Sequence, residues 1–289
     1  MIILRKLYLT LVILAIITLG TACISNKDND SNSDAVPSQY KNVDFVVIGD
    51  TQNQIGLSTF QKLVGHMVQM NPSIVFHTGD LVDEATSEKE WRDYRDTIKS
   101  LAQIAKIYAA IGNHDVKGLN YFFDNVDNPI NQRWFSIDYK NCHLIILDSY
   151  SDKSPGSEQY QWLENDLKNN RGDKLFTIVF FHRPPYTTGN HDEDIETQET
   201  FVKLFEKYNV DMVFSGHNHC YERFNVNGIY YIVTGGGGGF LWGQNRTSPY
   251  IQVFKLAHHF SSLTINDNSL LYEVFDSSMV KIDSFTISK

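Results

Sequence analysis

The chain has 289 residues, of which 42% are hydrophobic and 20% are charged, as in an ordinary globular protein. Its 34 acidic and 25 basic side chains give a net charge of −9, and no stretch carries the row of basic residues that nucleic acids require. Length and charge therefore predict one domain with a tail, or two small domains, and argue against a nucleic-acid partner.

A signal-like segment opens the chain. The basic pair Arg5-Lys6 precedes an apolar run over residues 7–19, and Gly20-Thr21-Ala22 offers the small residues of a cleavage site. The apolar run is shorter than the ~20 residues that a membrane-spanning helix needs. We therefore predict a signal peptide over residues 1–22 and a flexible polar tether over residues 23–42, where Asn, Asp and Ser predominate.

Cys23 stands directly after the small-residue triplet and opens the tether. This arrangement resembles a bacterial lipoprotein signal, in which the cysteine is lipidated and becomes the new N-terminus. It implies lipidation at Cys23 and an exported protein held by that lipid on the outer side of a bacterial membrane. Because Gly20 occupies a position where Leu is usual, ordinary secretion and an uncleaved anchor are the alternatives.

Strands and helices alternate after the tether. Ser87 and Glu90 form a capping-box pattern, and hydrophobic residues at helical spacing predict helices over residues 57–70, 87–101, 157–167 and 197–208. Apolar runs predict strands over residues 43–48, 74–76, 107–111, 134–139, 142–147, 175–181, 212–214, 229–234, 259–265, 270–275 and 280–287. This order predicts a large mixed sheet faced by a second sheet, with helices outside.

Five of the predicted strands lead into polar residues that suit hard metal ions. Because strands of an open α/β sheet present their carboxyl ends at a common edge, we expect these residues to converge. The five stretches are Asp50-Thr51-Gln52, Gly79-Asp80, Gly112-Asn113-His114-Asp115, His182 and Gly216-His217-Asn218-His219. In one of them the amide oxygen of Asn113 suits a metal ligand, the imidazole of His114 suits a proton donor, and the carboxylate of Asp115 suits a group that orients this donor.

In this order, the five stretches resemble the motifs of the calcineurin-like metallophosphoesterase superfamily. Residues 158–167, 181–186 and 259–264 resemble its purple-acid-phosphatase-like branch. The resemblance covers residues 43–289 and implies one catalytic domain there. It also implies the family fold, a four-layer α/β/β/α sandwich of two mixed β-sheets flanked by helices.

The resemblance implies a centre of two divalent metal ions. The first ion would bind Asp50, Asp80 and His219, with Gln52 as a further ligand. The second ion would bind Asp80, Asn113, His182 and His217. Imidazole and carboxylate ligands together suit Mn, Fe, Zn or Co, and the neutral amide of Gln52, where the family usually has His, also makes Mg acceptable.

The resemblance also implies residues that act on the substrate. His114 would be the general acid, oriented by Asp115, and His191, nine positions after His182, would contact the substrate. Arg183 and Tyr186, together with the ligand Asn113, would bind the substrate phosphate. The alternative for His191 is an exposed loop residue, and the alternative for Arg183 is a pair with a surface acid.

These roles imply hydrolysis of a small phosphate ester by a water that two ions share and activate. A phosphomonoesterase is the first expectation, and a phosphodiesterase acting on nucleotides or lipid head groups is the second. The third is a metal-binding surface lipoprotein without turnover, which Gln52 favours and the intact His114-Asp115 pair opposes. No protein partner is evident from the sequence.

Other reactive side chains are predicted to be structural. His77 adjoins the predicted strand over residues 74–76 and is expected to be hydrogen-bonded in the core or in support of the metal ligands. His258 and His259 open a later predicted strand and are expected to be structural, whereas His66 is expected on the polar side of its helix. Cys142 and Cys220 are expected to be small buried residues, and a disulfide between them is an open alternative.

Overall fold

The computed structural model describes residues 36–40, 42–129, 132–169 and 172–289. The predicted signal peptide, the lipidation site Cys23 and most of the predicted tether lie outside these residues. Among the described helices, none combines the length and the apolar character that crossing a bilayer would require.

Hydrophobic periodicity produces six α-helices in the described chain. They are α1 (Ser58–Met70), α2 (Glu88–Ala102), α3 (Leu119–Phe123), α4 (Glu158–Asn169), α5 (Ile195–Glu199) and α6 (Phe201–Lys207), with 3-10 turns at Ser38–Tyr40 and Asp115–Gly118. The predicted helix over residues 197–208 is two helices, because Thr200 leaves the helical conformation at ψ −82°.

Thirteen strands are present in the described residues. They are β1 (Phe45–Ile48), β2 (Ile74–His77), β3 (Lys106–Ala109), β4 (Phe135–Tyr139), β5 (Cys142–Ile146), β6 (Phe176–Phe180), β7 (Met212–Ser215), β8 (Tyr221–Val226), β9 (Ile229–Thr234), β10 (Ile251–Lys255), β11 (His259–Ile265), β12 (Ser269–Asp276) and β13 (Lys281–Ser288). β8 and β10 lie outside every predicted strand.

The strands form two mixed sheets. One has the order β13-β12-β11-β1-β2-β3, and the other has the order β10-β8-β9-β7-β6-β5-β4. β1, β2 and β3 are parallel in the first sheet, and β5, β6, β7 and β9 are parallel in the second. The carboxyl ends of these parallel strands supply the predicted site residues.

Alternating side chains divide the core into three layers. Phe76 of the first sheet stacks on Phe180 of the second with ring centroids 4.1 Å apart, within the apolar layer between the sheets. The opposite face of the first sheet packs on α1 and α2, and that of the second packs on α4 and α6. The predicted four-layer α/β/β/α sandwich is therefore confirmed.

The predicted capping box at the start of α2 is only half formed. The Ser87 side chain accepts the Glu90 N–H as predicted, but the Glu90 carboxylate accepts the N–H groups of Asp83 and Glu84 and not that of Ser87. The prediction for His66 is wrong, because its side chain is buried and its Nε2 lies 3.2 Å from the Ser277 carbonyl oxygen.

Both described cysteines are structural. Cys142 and Cys220 are buried and free, so the disulfide alternative is wrong. Burial raises the pKa of each thiol and keeps it neutral.

Candidate active site

The four predicted ligands of the second ion meet around one imidazole nitrogen. His182 Nε2 lies 3.1 Å from Asn113 Oδ1, 3.2 Å from His217 Nδ1 and 3.3 Å from Asp80 Oδ2. Asp80, His182 and His217 each offer one ligand atom, and these atoms all lie within 4.8 Å of one another. Oxygen and nitrogen donors at such separations form a cradle for one divalent cation.

The tautomer of His182 suits metal binding. Its Nδ1 lies 2.8 Å from the carbonyl oxygen of Thr78, so an Nδ1–H donates there and Nε2 faces the cluster. Burial opposes a charge on this ring, yet the neighbouring Asp80 carboxylate outweighs burial and raises the pKa of His182 to about 9. Because a cation binds the unprotonated Nε2, metal binding at His182 would compete with protonation of the ring.

The predicted ligands of the first ion lie beside this cluster. His219 Nε2 lies 3.5 Å from Asp50 Oδ1, and His219 Nδ1 is held by the Phe240 carbonyl oxygen at 2.7 Å. The Gln52 amide donates its Nε2–H to Asp80 Oδ2 at 3.1 Å.

The amide oxygen of Gln52 identifies an open ligand position. Gln52 Oε1 is buried and has no hydrogen-bond partner among the described residues. A buried oxygen without a partner costs about 1–3 kcal/mol, which coordination to a cation would offset. This orphaned oxygen and the carboxylate and imidazole donors around it fit a centre of two divalent cations.

Three of the predicted ligands have left-handed backbones. Asp50, Asp80 and His217 have φ of 58°, 58° and 68°, a conformation that non-glycine residues rarely adopt. Such residues cost of order 1–3 kcal/mol each and cluster at functional sites. Gly112 permits this packing, since a Cβ on it would lie 2.1 Å from Asp80 Oδ1.

Asp115 does not orient His114, so that part of the prediction is wrong. Its carboxylate accepts the backbone N–H groups of Asp80 at 2.7 Å, Gly112 at 2.9 Å and Leu81 at 3.1 Å. These bonds join the loop after β2 to the loop after β3. Asp115 therefore supports the backbone that carries Asp80.

Asp83 supplies the contact that was expected from Asp115. His114 Nδ1 lies 2.6 Å from the Asp83 carbonyl oxygen and 3.6 Å from the Asp83 carboxylate. The Asp83 carboxylate also accepts the Gln54 Nε2–H at 2.8 Å, which fixes its position. Since Nδ1 faces Asp83, His114 Nε2 is left to face a substrate, and the ring is 30% exposed.

The predicted substrate residues fall into two groups. The ring of His191 stacks on that of the ligand His217 with centroids 4.2 Å apart, and burial lowers the pKa of His191. Arg183 directly follows His182 and is 35% exposed, with Nη1 3.9 Å from Asp194 Oδ2. Tyr186 instead packs on Tyr231 in the apolar layer beneath the helices.

Tyr150 is a site residue that the sequence did not reveal. Its hydroxyl donates to Asn113 Oδ1 at 3.1 Å, and its ring centroid lies 6.1 Å from that of His182. Burial raises its pKa well above the ordinary value, so the hydroxyl keeps its proton. Its position shortly after β5, another strand end, was the available signal.

Two histidines that were predicted to be structural are buried and hydrogen-bonded. His77 Nε2 lies 3.0 Å from the Thr51 hydroxyl, and His77 Nδ1 accepts the Gly79 N–H at 3.1 Å. Because burial lowers the pKa of His77 to about 3, the ring is neutral. His259 is also buried, with Nε2 3.1 Å from the Thr234 hydroxyl. The predictions for His77 and His259 are therefore confirmed.

Comparison with known protein families gives this geometry a context. Residues 43–221, more than half of the chain, match the family model described as calcineurin-like phosphoesterase. The chain belongs to this family. Calcineurin-like phosphoesterases are metal-dependent, and the donor cluster lies on the loops that the family match covers.

Two plant proteins are similar to this chain. The chain is 29% identical over 76% of its length to probable purple acid phosphatase 20 of Arabidopsis thaliana, and it spans 58% of that protein. It is 28% identical over 81% of its length to a nucleotide pyrophosphatase/phosphodiesterase of Hordeum vulgare, and it spans 76% of that protein. The chain thus covers little more than half of the first relative.

A solved structure shares the fold. The purple acid phosphatase PPD1 from seeds of yellow lupin (Lupinus luteus) superposes with a TM-score of 0.76 at 24% identity, covering 86% of this chain and 54% of the lupin chain. This similarity supports the two-sheet sandwich flanked by helices.

Proposed function

We propose that this protein is a dinuclear-metal phosphomonoesterase. The observation that carries the proposal is the meeting of Asp80, Asn113 and His217 around His182 Nε2, with His114 and His191 beside them. A set of ion pairs that only stabilised the fold would not explain why the Gln52 oxygen lacks a hydrogen-bond partner, nor why the imidazoles of His114 and His191 lie beside the cluster.

The residues divide the work between two cations. Asp50, His219 and Gln52 would hold the first, Asn113, His182 and His217 the second, and Asp80 would serve both. Two divalent cations held here would supply positive charge that stabilises the phosphoryl oxygens and lowers the pKa of an attacking water. The mixed imidazole, carboxylate and amide ligands suit Mn, Fe, Zn, Co or Mg.

The chain's own side chains would bind and protonate the ester. His191 and Arg183 would contact phosphoryl oxygens, and these two potential donors beyond the cations suit the double negative charge of a monoester. The Tyr150 hydroxyl holds the Asn113 oxygen in place. His114, with Nδ1–H bound to Asp83, would pass a proton from Nε2 to the leaving ester oxygen.

A phosphodiesterase acting on nucleotides or lipid head groups is the second candidate. The barley relative carries both pyrophosphatase and phosphodiesterase in its name, which supports this reading. A binding lipoprotein without turnover is the third candidate, and the oriented His114 opposes it. A metal centre that only binds has no use for a proton donor directed at the substrate.

A turnover screen tests the function. We expect the metal-stripped protein to be inactive and to recover on addition of Mg, Mn, Fe, Co or Zn. 4-Nitrophenyl phosphate and bis(4-nitrophenyl) phosphate share one leaving group, so their kcat/KM values compare monoester with diester directly. A faster diester reaction would establish the second candidate, and no turnover with any metal would establish the third.

The proposed export and lipid anchor rest on the sequence around Cys23. We expect labelled fatty acid to be incorporated into the parent in a bacterial host and not into Cys23→Ser. Unlabelled parent protein recovered from the medium would favour ordinary secretion, and label retained in Cys23→Ser would contradict the assignment.

A further inference from the structure

Asn218 lies between the predicted ligands His217 and His219, yet its side chain contacts a different segment. Its Oδ1 accepts the His191 N–H at 2.8 Å, and its Nδ2 donates to the His191 carbonyl oxygen at 3.3 Å. One fully buried amide therefore binds both backbone polar groups of His191, a residue 27 positions away.

A buried carboxylate anchors this amide. Asn218 Nδ2 also donates to Thr187 Oγ1 at 2.9 Å, and Thr187 Oγ1 donates to Glu222 Oε2 at 2.5 Å. Glu222 is fully buried on β8 and accepts the Thr188 N–H at 2.7 Å as well as the Thr188 hydroxyl. A hydrogen-bonded chain thus runs from β8 through Thr187 and Asn218 to His191.

Close packing reinforces the hydrogen bonds. A Cβ on Gly189 would lie 2.7 Å from both Cγ and Oδ1 of Asn218, so the backbone of this loop rests directly on the amide. The loop is held from outside as well, since the Asn245 N–H donates to the Thr188 carbonyl oxygen at 2.9 Å. With its backbone fixed, His191 stacks on His217 at 4.2 Å.

We propose that Asn218 is the positioning residue for His191, and that it acts on catalysis only through that histidine. The proposal rests on the proposed function, because it concerns the placement of a group that contacts the substrate. Each hydrogen-bonding atom of the Asn218 amide already has a partner in the loop, so its contacts belong to the loop and not to the cation cradle.

The first test is a kinetic cycle. Asn218→Ala removes the amide, and Thr187→Val removes its link to Glu222 at nearly constant volume. We expect each to lower kcat/KM on the monoester by roughly 10- to 100-fold, because small displacements of binding groups have effects of that size. Metal content should stay at that of the parent, and neither change should lower kcat/KM further in a His191→Ala background.

Asn141→Ala is the matched control. The Asn141 amide also joins distant segments, donating to the carbonyl oxygens of Asn266 and Asp267, and it precedes β5 at the edge of the sandwich opposite the site. We expect unchanged kinetics in this variant. Equal losses from Asn218→Ala with and without His191, or loss of metal from both Asn218→Ala and Thr187→Val, would overturn the proposal.

Hydrogen exchange provides a readout independent of turnover. The His191 amide proton is bound by Asn218 Oδ1, so it should exchange faster in Asn218→Ala than in the parent and in Asn141→Ala. Unchanged exchange at His191 would overturn the proposal even if the protein hydrolyses no ester. If Asn218→Ala does not fold, Thr187→Val removes the anchor of the amide but keeps its Oδ1, and we expect a smaller increase in exchange at His191.

Discussion

The carboxylate of Asp115 accepts the backbone N–H of Asp80 at 2.7 Å, and none of its described hydrogen bonds reaches the ring of His114, its neighbour in sequence. The residue therefore serves the metal centre and not the proton donor. Burial and the charge of Asp80 raise the pKa of Asp115, but three backbone donors surround its carboxylate. Its contribution is to hold two loops in register.

Asp115→Asn tests this support role. The amide nitrogen would face an N–H group, so one buried donor loses its acceptor, which costs about 1–3 kcal/mol. We expect a lower unfolding midpoint in urea and weaker metal retention, with the two measured on the same preparation. A variant that keeps its stability and both metals but loses only alkyl-ester turnover would return Asp115 to the role of orienting His114.

His114→Ala separates the acid from the metals. A positioned general acid typically contributes ~10²–10⁴-fold, and mostly when the departing alcohol is a poor leaving group. We expect the variant to keep both metals and much of its rate on an aryl phosphate, while it loses far more on an alkyl phosphate. Equal losses on both esters would mean that His114 binds phosphate and does not donate a proton.

Asp83→Asn is the companion change to His114→Ala. It removes the carboxylate 3.6 Å from His114 Nδ1 but keeps the carbonyl oxygen that binds the same nitrogen. We therefore expect a smaller loss than in His114→Ala, again concentrated on the alkyl ester. A larger loss than in His114→Ala would show that Asp83 acts on another part of the site.

Gln52→His tests the open ligand position. Imidazole is a stronger donor than an amide oxygen, so the first ion should bind more tightly and half-maximal activity should need less added metal. Calorimetric titration of the metal-stripped protein checks this independently of turnover. An unchanged titration would show that Gln52 is not a ligand.

His143 offers a test of stability away from the centre. Its Nδ1 lies 2.7 Å from Asp138 and its Nε2 lies 2.8 Å from Asp166, so both nitrogens have a carboxylate acceptor. Burial lowers the pKa of the ring, but the bonds to Asp166 and Asp138 outweigh burial and raise it above 6.5. Only the imidazolium donates to both carboxylates.

This raised pKa fixes the direction of the pH dependence. The charged ring stabilises the fold fully below the unfolded pKa of 6.5, and this stability is lost as pH rises through the higher pKa of the folded protein. We expect the stability difference between the parent and His143→Gln in urea to be largest in mild acid and to shrink in alkali. A difference that does not change with pH would contradict the ion-pair assignment.

The sequence predicted the parts of the site that local patterns encode. Asp50 and Asp80 follow neighbouring parallel strands of one sheet, so their proximity could be expected from the pattern of strand ends, whereas His182 follows β6 of the second sheet. The role of Asp115 could not be expected, because its partner Asp80 is 35 residues away and bonds through its backbone. The contact of Tyr150 with the site was not predicted for the same reason, since its partner Asn113 is 37 residues away.

Strand β8 shows the same limit in the fold. Glu222, Arg223 and Asn225 interrupt its apolar pattern, and such polar residues argue against a buried strand. Glu222 is nevertheless fully buried, because hydroxyl and N–H donors from Thr187 and Thr188 satisfy its carboxylate. Contacts between distant segments supply what the local pattern lacks.

Three successive side chains after β7 serve three different partners. His217 lies against the ligand His182, Asn218 is hydrogen-bonded to the backbone of His191, and His219 lies against Asp50. An insertion or deletion of a single residue there would shift all three side chains away from their partners. We therefore expect natural relatives that keep the metal ligands to vary more readily at position 218 than in the length of the segment 217–219.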